Sequence, residues 1–289
     1  MPKSTYAINA ALNVFLRATA YTAPTTVYVG LLSGTTEATG GSYARQAVTF
    51  GAPSAGTCTS TTAQTFAKLG ATVHACDLNA AELAETAAGT SIKTSVVDLT
   101  DRKAAAAWVQ EAESGAPVYC LVNNAGGVAG QLPVPLEDVP DEDWDRIFAI
   151  NVTAAMTLCR AAAPAMKKSG SGRIINISSG AGMQASLTGI QAYCSAKHAV
   201  IGLTRQLAHE FGPFGITVNS VAPGFVRSNV ATEKQWDSYG PEGQAAMVSR
   251  IFMKRLGTAQ DIADACVFFA SDLAGFVTGQ IISVNGGGR

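Results

Sequence analysis

Tyr193 and Lys197 stand four residues apart in Gln191-Ala-Tyr-Cys-Ser-Ala-Lys197, and on a helix that spacing turns both side chains to one face. A phenol ionises near pH ~10, so it exchanges protons at neutral pH only when a neighbouring cation stabilises its phenolate. Lys197 is the cation at hand. Upstream, Ile174-Ile-Asn-Ile-Ser-Ser179 reads as a buried strand ending in hydroxyls, which sets a hydrogen-bond donor beside the phenol. Phenol, ammonium and hydroxyl together suit the interconversion of an alcohol and a carbonyl. A tyrosine and a lysine at this spacing also occur by chance on many helices, so the weight comes from their surroundings.

Those surroundings are specific. Asn123-Asn-Ala-Gly126 follows the apolar run from Val118 to Val122, Asn151 lies in a helical stretch, and Pro223-Gly224 follows the strand-like Ile216-Thr-Val-Asn-Ser-Val221. With Ser179, Tyr193 and Lys197 in order, the chain resembles the short-chain dehydrogenase/reductase family from about Ala63 to the C-terminal Gly286-Gly-Gly-Arg289. The resemblance implies a catalytic set of Asn151, Ser179, Tyr193 and Lys197. Tyr193 would be the acid in carbonyl reduction and the base in alcohol oxidation, and Ser179 would hydrogen-bond the reacting oxygen. Lys197 would lower the tyrosine pKa and bind the nicotinamide ribose, while Asn151 would hold a water on a proton path to solvent. Ser178 is read as structural.

The same resemblance implies a cofactor site of Asp77, Asp98, Asn123, Ala125, Gly126, Tyr193, Lys197, Pro223, Gly224, Val226 and Ser228. Asp77 ends Val73-His-Ala-Cys-Asp77 where the family binds the adenosine ribose, and with Leu78 beside it supplying no cation, NAD is expected over NADP. Asp98 matches the adenine-side residue. Asn123 has a second reading, as a side chain that ties down backbone. The segment between Arg227 and Arg255, with Trp236 and Tyr239, is where the family carries a mobile substrate lid. By the same analogy the chain is expected to act on a small alcohol or carbonyl compound and to form a homodimer or homotetramer.

Composition sets outer limits. The 289 residues carry a formal net charge of −1, and their dispersed Lys and Arg give no footprint for nucleic acid or an anionic membrane. No uncharged run of ~20 apolar residues offers a membrane span. The first twenty residues mimic a secretory leader, but Asn9, Asn13 and Arg17 interrupt them, and Ile8, Leu12, Phe15 and Leu16 share one helical face. Six cysteines without C-x-x-C spacing suit a reducing cytoplasm. The three histidines stand at no metal-ligand spacing, and no metal is expected.

From residue 61 to 289, helical and strand patterns alternate, with a helix near 62–69, strands near 71–76, 118–122, 173–177 and 216–221, and a last strand at 280–284. This rhythm predicts an α/β fold with a doubly wound, Rossmann-like parallel sheet. Residues 1–60 form an atypical segment, read as a helix plus a β-hairpin of Thr26–Leu32 with Tyr43–Phe50. The stretch from Gly40 to Ser54 resembles a small phage virion structural protein, so the chain reads as a chimera.

At the junction the family's T-G-x-x-x-G-x-G phosphate loop is missing. Ungapped alignment from Ala63 puts Pro53, Thr57 and Thr59 where three glycines let backbone approach the pyrophosphate. A two-residue insertion instead makes Val48–Phe50 the strand, Gly51 to Gly56 a stretched turn, and Cys58 the neighbour of the third glycine. Gly30-Leu-Leu-Ser-Gly34 has the first spacing but leads into no helix. One N-terminal strand must fill the centre of the sheet, and Ala47–Phe50 is expected there. The competing function is non-enzymatic: a phage-like segment fused to a degenerate oxidoreductase domain that has lost dinucleotide binding.

Overall fold

The computed structural model describes residues 47–51, 57–228 and 230–288. The expected central strand is present. Strand β1, Ala47–Gly51, runs parallel between β2, Thr72–Asp77, and β4, Cys120–Asn123. With both edges of residues 47–51 hydrogen-bonded, neither is left for the hairpin partner expected at 26–32, which lies outside the described residues together with the N-terminal helix.

Helix α1, Thr57–Lys68, starts five residues earlier than its apolar pattern suggests. The chain continues through α2, Ala80–Ala87, β3, Lys93–Val96, and α3, Arg102–Ala112. After β4 come α4, Asp141–Phe148, a π-helical turn at Ala149–Thr153, and α5, Ala154–Ser169. Then follow β5, Gly172–Ile177, α6, Gln191–Phe211, β6, Ile216–Pro223, α7, Val230–Ser238, α8, Gly240–Arg250, α9, Ala259–Ala270, and β7, Ile281–Val284. The sheet order is β3-β2-β1-β4-β5-β6-β7, parallel throughout.

Period-two alternation sends side chains to two apolar layers. Val73, Val122, Ile175 and Val221 pack with Phe66 of α1 and Ile262 and Phe269 of α9 on one face. Leu121, Ile174 and Val218 pack with Trp108 of α3, Leu158 and Met166 of α5 and Phe211 of α6 on the other. This is the expected doubly wound fold. Strand β3 escapes the sequence pattern because it is a polar edge strand, Lys-Thr-Ser-Val, with mostly exposed residues. The long apolar run Asp141–Ser169 is a core helix, half of whose apolar window is inside the protein.

Sheet order reverses direction between β1 and β4, and the C-terminal ends of strands at such a switch point open a crevice. Gly51, Asp77, Asn123, Ile177 and Pro223 all end strands on that side.

Candidate active site

Ser179 follows β5 in extended backbone and caps the short turn Gly180–Gly182, its Oγ accepting the Ala181 N–H at 3.1 Å. That leaves the hydroxyl proton free to turn toward the Tyr193 phenol, whose pKa the nearby Ser179 hydroxyl lowers. Tyr193 is in the first turn of α6, and Lys197 one turn on lies with Nζ 5.7 Å from the Tyr193 ring centroid. The three residues of the motif therefore meet, as the i,i+4 spacing and the strand end demand.

Their electrostatics differ from the simple expectation. Burial pushes the Tyr193 phenol above its ordinary range, and the Ser179 hydrogen bond is what pulls it down. Lys197 is 4% exposed and donates to the Ile177 carbonyl at 3.0 Å, with its charge also against the Tyr193 ring. Burial lowers the Lys197 amine from 10.5 to about 8.

The gap between 10.5 and about 8 corresponds to ~3 kcal/mol of desolvation cost while the amine is charged. A cation whose folded pKa is depressed destabilises the fold fully below the folded value, and the cost fades as pH rises toward the unfolded one. Lys197→Met gives up the Ile177 hydrogen bond, worth ~1 kcal/mol, and should be net more stable by ~2 kcal/mol at pH 7. Thermal unfolding is expected to show a melting point roughly 4–8 °C higher than wild type at pH 7, with the difference shrinking between pH 8 and 10.5.

Asn151 sits in the π-helical turn, a backbone irregularity common at functional sites. Its side chain grips one residue from both ends: Oδ1 accepts the Gly127 N–H at 2.9 Å and Nδ2 donates to the Gly127 carbonyl at 2.9 Å and to the Ile147 carbonyl at 2.8 Å. Gly126, at φ +149, shows why the turn needs glycine. A Cβ there would run into Asn151 Oδ1 and come within 3.1 Å of Lys197 Nζ. Gly126 thus borders both Asn151 and Lys197, and buried Ala125 precedes it.

Asn123 goes elsewhere. Its Nδ2 donates to Asn176 Oδ1 at 2.8 Å and to Cys159 Sγ at 3.2 Å, and Asn176 Nδ2 donates to Thr204 Oγ1 at 2.8 Å. This buried chain ties β4 and β5 to α5 and α6, and the Asn123 side-chain amide takes the tie-down role. Ser178 is also interior, donating to the Lys197 carbonyl at 3.1 Å, which agrees with its structural assignment.

Asp77 ends β2 nearly buried, with Oδ1 accepting the Asn79 N–H at 2.9 Å and its carboxyl pushed up by burial. Exposed Leu78 follows it. Asp98 is exposed and accepts from both the N–H and the hydroxyl of Thr100, at 2.8 and 2.6 Å. Gly224 N–H donates to the Val284 carbonyl at 3.1 Å, buried Val226 bridges Gly257, and Ser228 N–H donates to Thr232 Oγ1 at 2.9 Å. Phe225, Trp236 and Tyr239 cluster beyond Pro223, with ring centroids 5.9 and 6.0 Å from Phe225. Gly127 carries no motif of its own, and the doublet Gly126-Gly127 is the only signal for it in the sequence. Among the described residues no cluster of His, Cys, Asp or Glu could hold a metal.

A doubly wound sheet with tyrosine, serine and lysine at its carboxyl edge defines a Rossmann-type oxidoreductase. Comparison with known proteins carries this further. The family described as enoyl-(acyl carrier protein) reductase matches residues 54–288. A short-chain type dehydrogenase/reductase of Sinorhizobium fredii is 37% identical over 237 residues, 78% of this chain and 90% of that one. A protein of Xanthobacter autotrophicus described as an inactive 2-(S)-hydroxypropyl-CoM dehydrogenase is 41% identical over 192 residues, 66% of this chain and 82% of that one. The crystal structure of a 3-oxoacyl-[acyl-carrier protein] reductase from Brucella melitensis with bound NAD superposes with a TM-score of 0.74 at 31% identity, covering 84% of this chain and 90% of that one. The chain belongs to the short-chain dehydrogenase/reductase family, a family of oxidoreductases. Residues 2–89 also match a podophage fibre protein described as GP4 fiber I protein gp80, in keeping with the phage-like sequence at the N-terminus. The two matches overlap over residues 54–89, which hold α1, β2 and α2.

Proposed function

We propose that this chain is an NAD-dependent oxidoreductase that interconverts an alcohol and a carbonyl, with Tyr193 as its acid/base group. The observation that carries the reading is the buried Lys197 amine against the Tyr193 ring, with the Ser179 hydroxyl near enough to lower the phenol pKa. In carbonyl reduction the phenol gives its proton to the carbonyl oxygen while Ser179 donates a hydrogen bond to that oxygen. The elevated phenol pKa keeps Tyr193 protonated and ready as an acid at neutral pH. Lys197, titrating at about 8, is then mostly cationic and stabilises the phenolate left behind. Asn151 holds the Gly126-Gly127 turn and is the first stage of a proton path from Lys197 to solvent.

The residues around the crevice fit a dinucleotide. A strand end, a turn that tolerates no Cβ and a buried amine with unused donors line its nicotinamide side. Asp77 would hold the adenosine ribose hydroxyls, and its carboxylate next to Leu78 disfavours a 2′-phosphate, which supports NAD over NADP. Asp98, the Ala125–Gly126 backbone and the Pro223, Gly224, Val226 and Ser228 segment complete the expected cradle. When bound, the nicotinamide supplies the hydride. The sequence stretch where the family carries its phosphate loop includes residues 52–56, which lie outside the described residues. Steady-state reduction of a carbonyl panel is expected to show kcat/KM at least ~10-fold higher with NADH than with NADPH, and Asp77→Ala should narrow that ratio; a preference for NADPH would overturn the cofactor assignment.

The reading includes a reducing cytoplasmic setting, supported by free Cys120, Cys159 and Cys194. It also includes assembly into a homodimer or homotetramer, supported by the exposed Phe268, Leu273, Phe276 and Ile282 beside the edge strand β7. The N-terminal segment is read as phage-fibre-like, joined to the oxidoreductase domain close to β1. One observation favours a second reading, a degenerate domain without coenzyme: the phosphate-loop glycines are absent from the sequence between Gly51 and Thr59 except at Gly51 and Gly56.

A further inference from the structure

Gln131 is 4% exposed, yet neither Nε2 nor Oε1 of its side chain has a hydrogen-bond partner among the described residues. A buried polar group left unpaired costs ~1–3 kcal/mol, and a native fold keeps such groups chiefly where function uses them. The loop that carries Gln131 borders the candidate site. Its Gly127 is gripped by Asn151, and its Val128 and Ala129 share an apolar cluster with Tyr193, Ile190, Trp144 and Phe148. Ala129 and Gly130, at φ 48 and 83, then turn the chain so that the Gln131 N–H reaches the Val128 carbonyl at 2.9 Å.

A second amide stands on the facing segment. Gln191, two residues before Tyr193, donates through Nε2 to the Val134 carbonyl at 3.0 Å, while its Oε1 is buried and has no partner among the described residues. Two carboxamides on the segments flanking Tyr193 thus hold one donor group and two acceptors in reserve. A hydroxyl is the group that can answer both kinds. Just beyond, Glu137, Asp138, Asp141, Glu142 and Asp145 are exposed, and the cation of that stretch, Arg146, is paired with Asp143 at 2.5 Å. That field repels a carboxylate or a phosphate.

Resting on the proposed oxidoreductase reading, we propose that Gln131 and Gln191 recognise a second polar group of the substrate, and that the substrate is a neutral polyol or hydroxyketone with a hydroxyl next to the reacting carbon. A site built to bond a hydroxyl rejects the analogue lacking it more strongly than an apolar pocket rejects an added one.

Hydroxyacetone, acetone and pyruvate, reduced with NADH, differ only in the group beside the carbonyl. Wild type is expected to prefer hydroxyacetone at least ~10-fold in kcat/KM over both others. Gln131→Leu should cut the hydroxyacetone value ~10–100-fold and change the acetone value less than about threefold. Equal losses on both ketones, or a wild-type preference for acetone or pyruvate, would overturn the proposal. Thermal unfolding of ligand-free Gln131→Leu tests it without any turnover. A higher melting point, by a few degrees, supports an unpaired amide held for a ligand; a lower one means the amide has a structural role, and the proposal fails even if every ketone is inert. Inertness of all carbonyls with either coenzyme would count separately, against the oxidoreductase reading itself.

Discussion

Replacing Tyr193 with Phe is expected to lower kcat by ~10³-fold or more while leaving coenzyme affinity nearly unchanged. Loss of a positioned acid/base group costs ~10²–10⁴-fold, and here the carbonyl oxygen would keep only the Ser179 hydrogen bond. The substitution is well suited to isolate the hydroxyl. The ring keeps its packing with Trp144, Phe148 and Ile190 and its place under the Lys197 amine, so the fold should survive. Single-turnover reduction with NADH, read beside a coenzyme titration of the same variant, measures the effect. Turnover within a few-fold of wild type would remove Tyr193 from the chemistry.

Rebuilding the phosphate loop should produce the second large change. Replacing the stretch from the end of β1 through the first turn of α1 with T-G-x-x-x-G-x-G is expected to tighten NADH binding by roughly two to three orders of magnitude. Each charge-assisted backbone bond to the pyrophosphate is worth ~1.5–3 kcal/mol, and Pro53 offers no N–H while Thr57 and Thr59 carry side chains where the family has glycine. Fluorescence titration of both forms tests it. Micromolar binding by the natural chain, with no gain on rebuilding, would show that the altered stretch already cradles the coenzyme. Binding only after rebuilding would favour the degenerate-domain reading, because Tyr193 and Lys197 would then stand ready without a coenzyme to work with.

These two outcomes are separable because the catalytic cluster and the phosphate loop are built from different parts of the chain. Ser179, Tyr193 and Lys197 are brought together by β5 and α6, whereas the loop joins β1 to α1. Damage at one need not disturb the other.

Whatever local spacing controls is legible in the order of residues alone. Apolar runs at 118–122, 173–177 and 216–221 become buried strands because a parallel sheet covered on both faces asks every residue to be apolar. Tyr193 and Lys197 share a helical face because four residues make about one turn. Even the substitute central strand at Ala47–Gly51 is legible, since a gap between β2 and β4 would leave backbone groups unpaired and this is the nearest strand-forming segment. Edge strand β3 is not, because a strand with one free edge and exposed side chains has no apolar run to announce it.

How polar side chains are spent is settled by folding instead. Asn123 stands in the same four-residue motif as the site glycine, but its amide runs inward to Asn176 and Cys159, a choice made by partners 53 and 36 residues away. Spacing alone turns Lys197 toward Tyr193; folding buries it, which lowers its pKa, and hands one of its donors to the Ile177 carbonyl. Gln131 and Gln191 carry no signal in the sequence at all, since an amide is ordinary until folding buries it without a partner. Hydrogen bonding and desolvation depend on what arrives from distant segments, and the order of residues along the chain does not contain that distance.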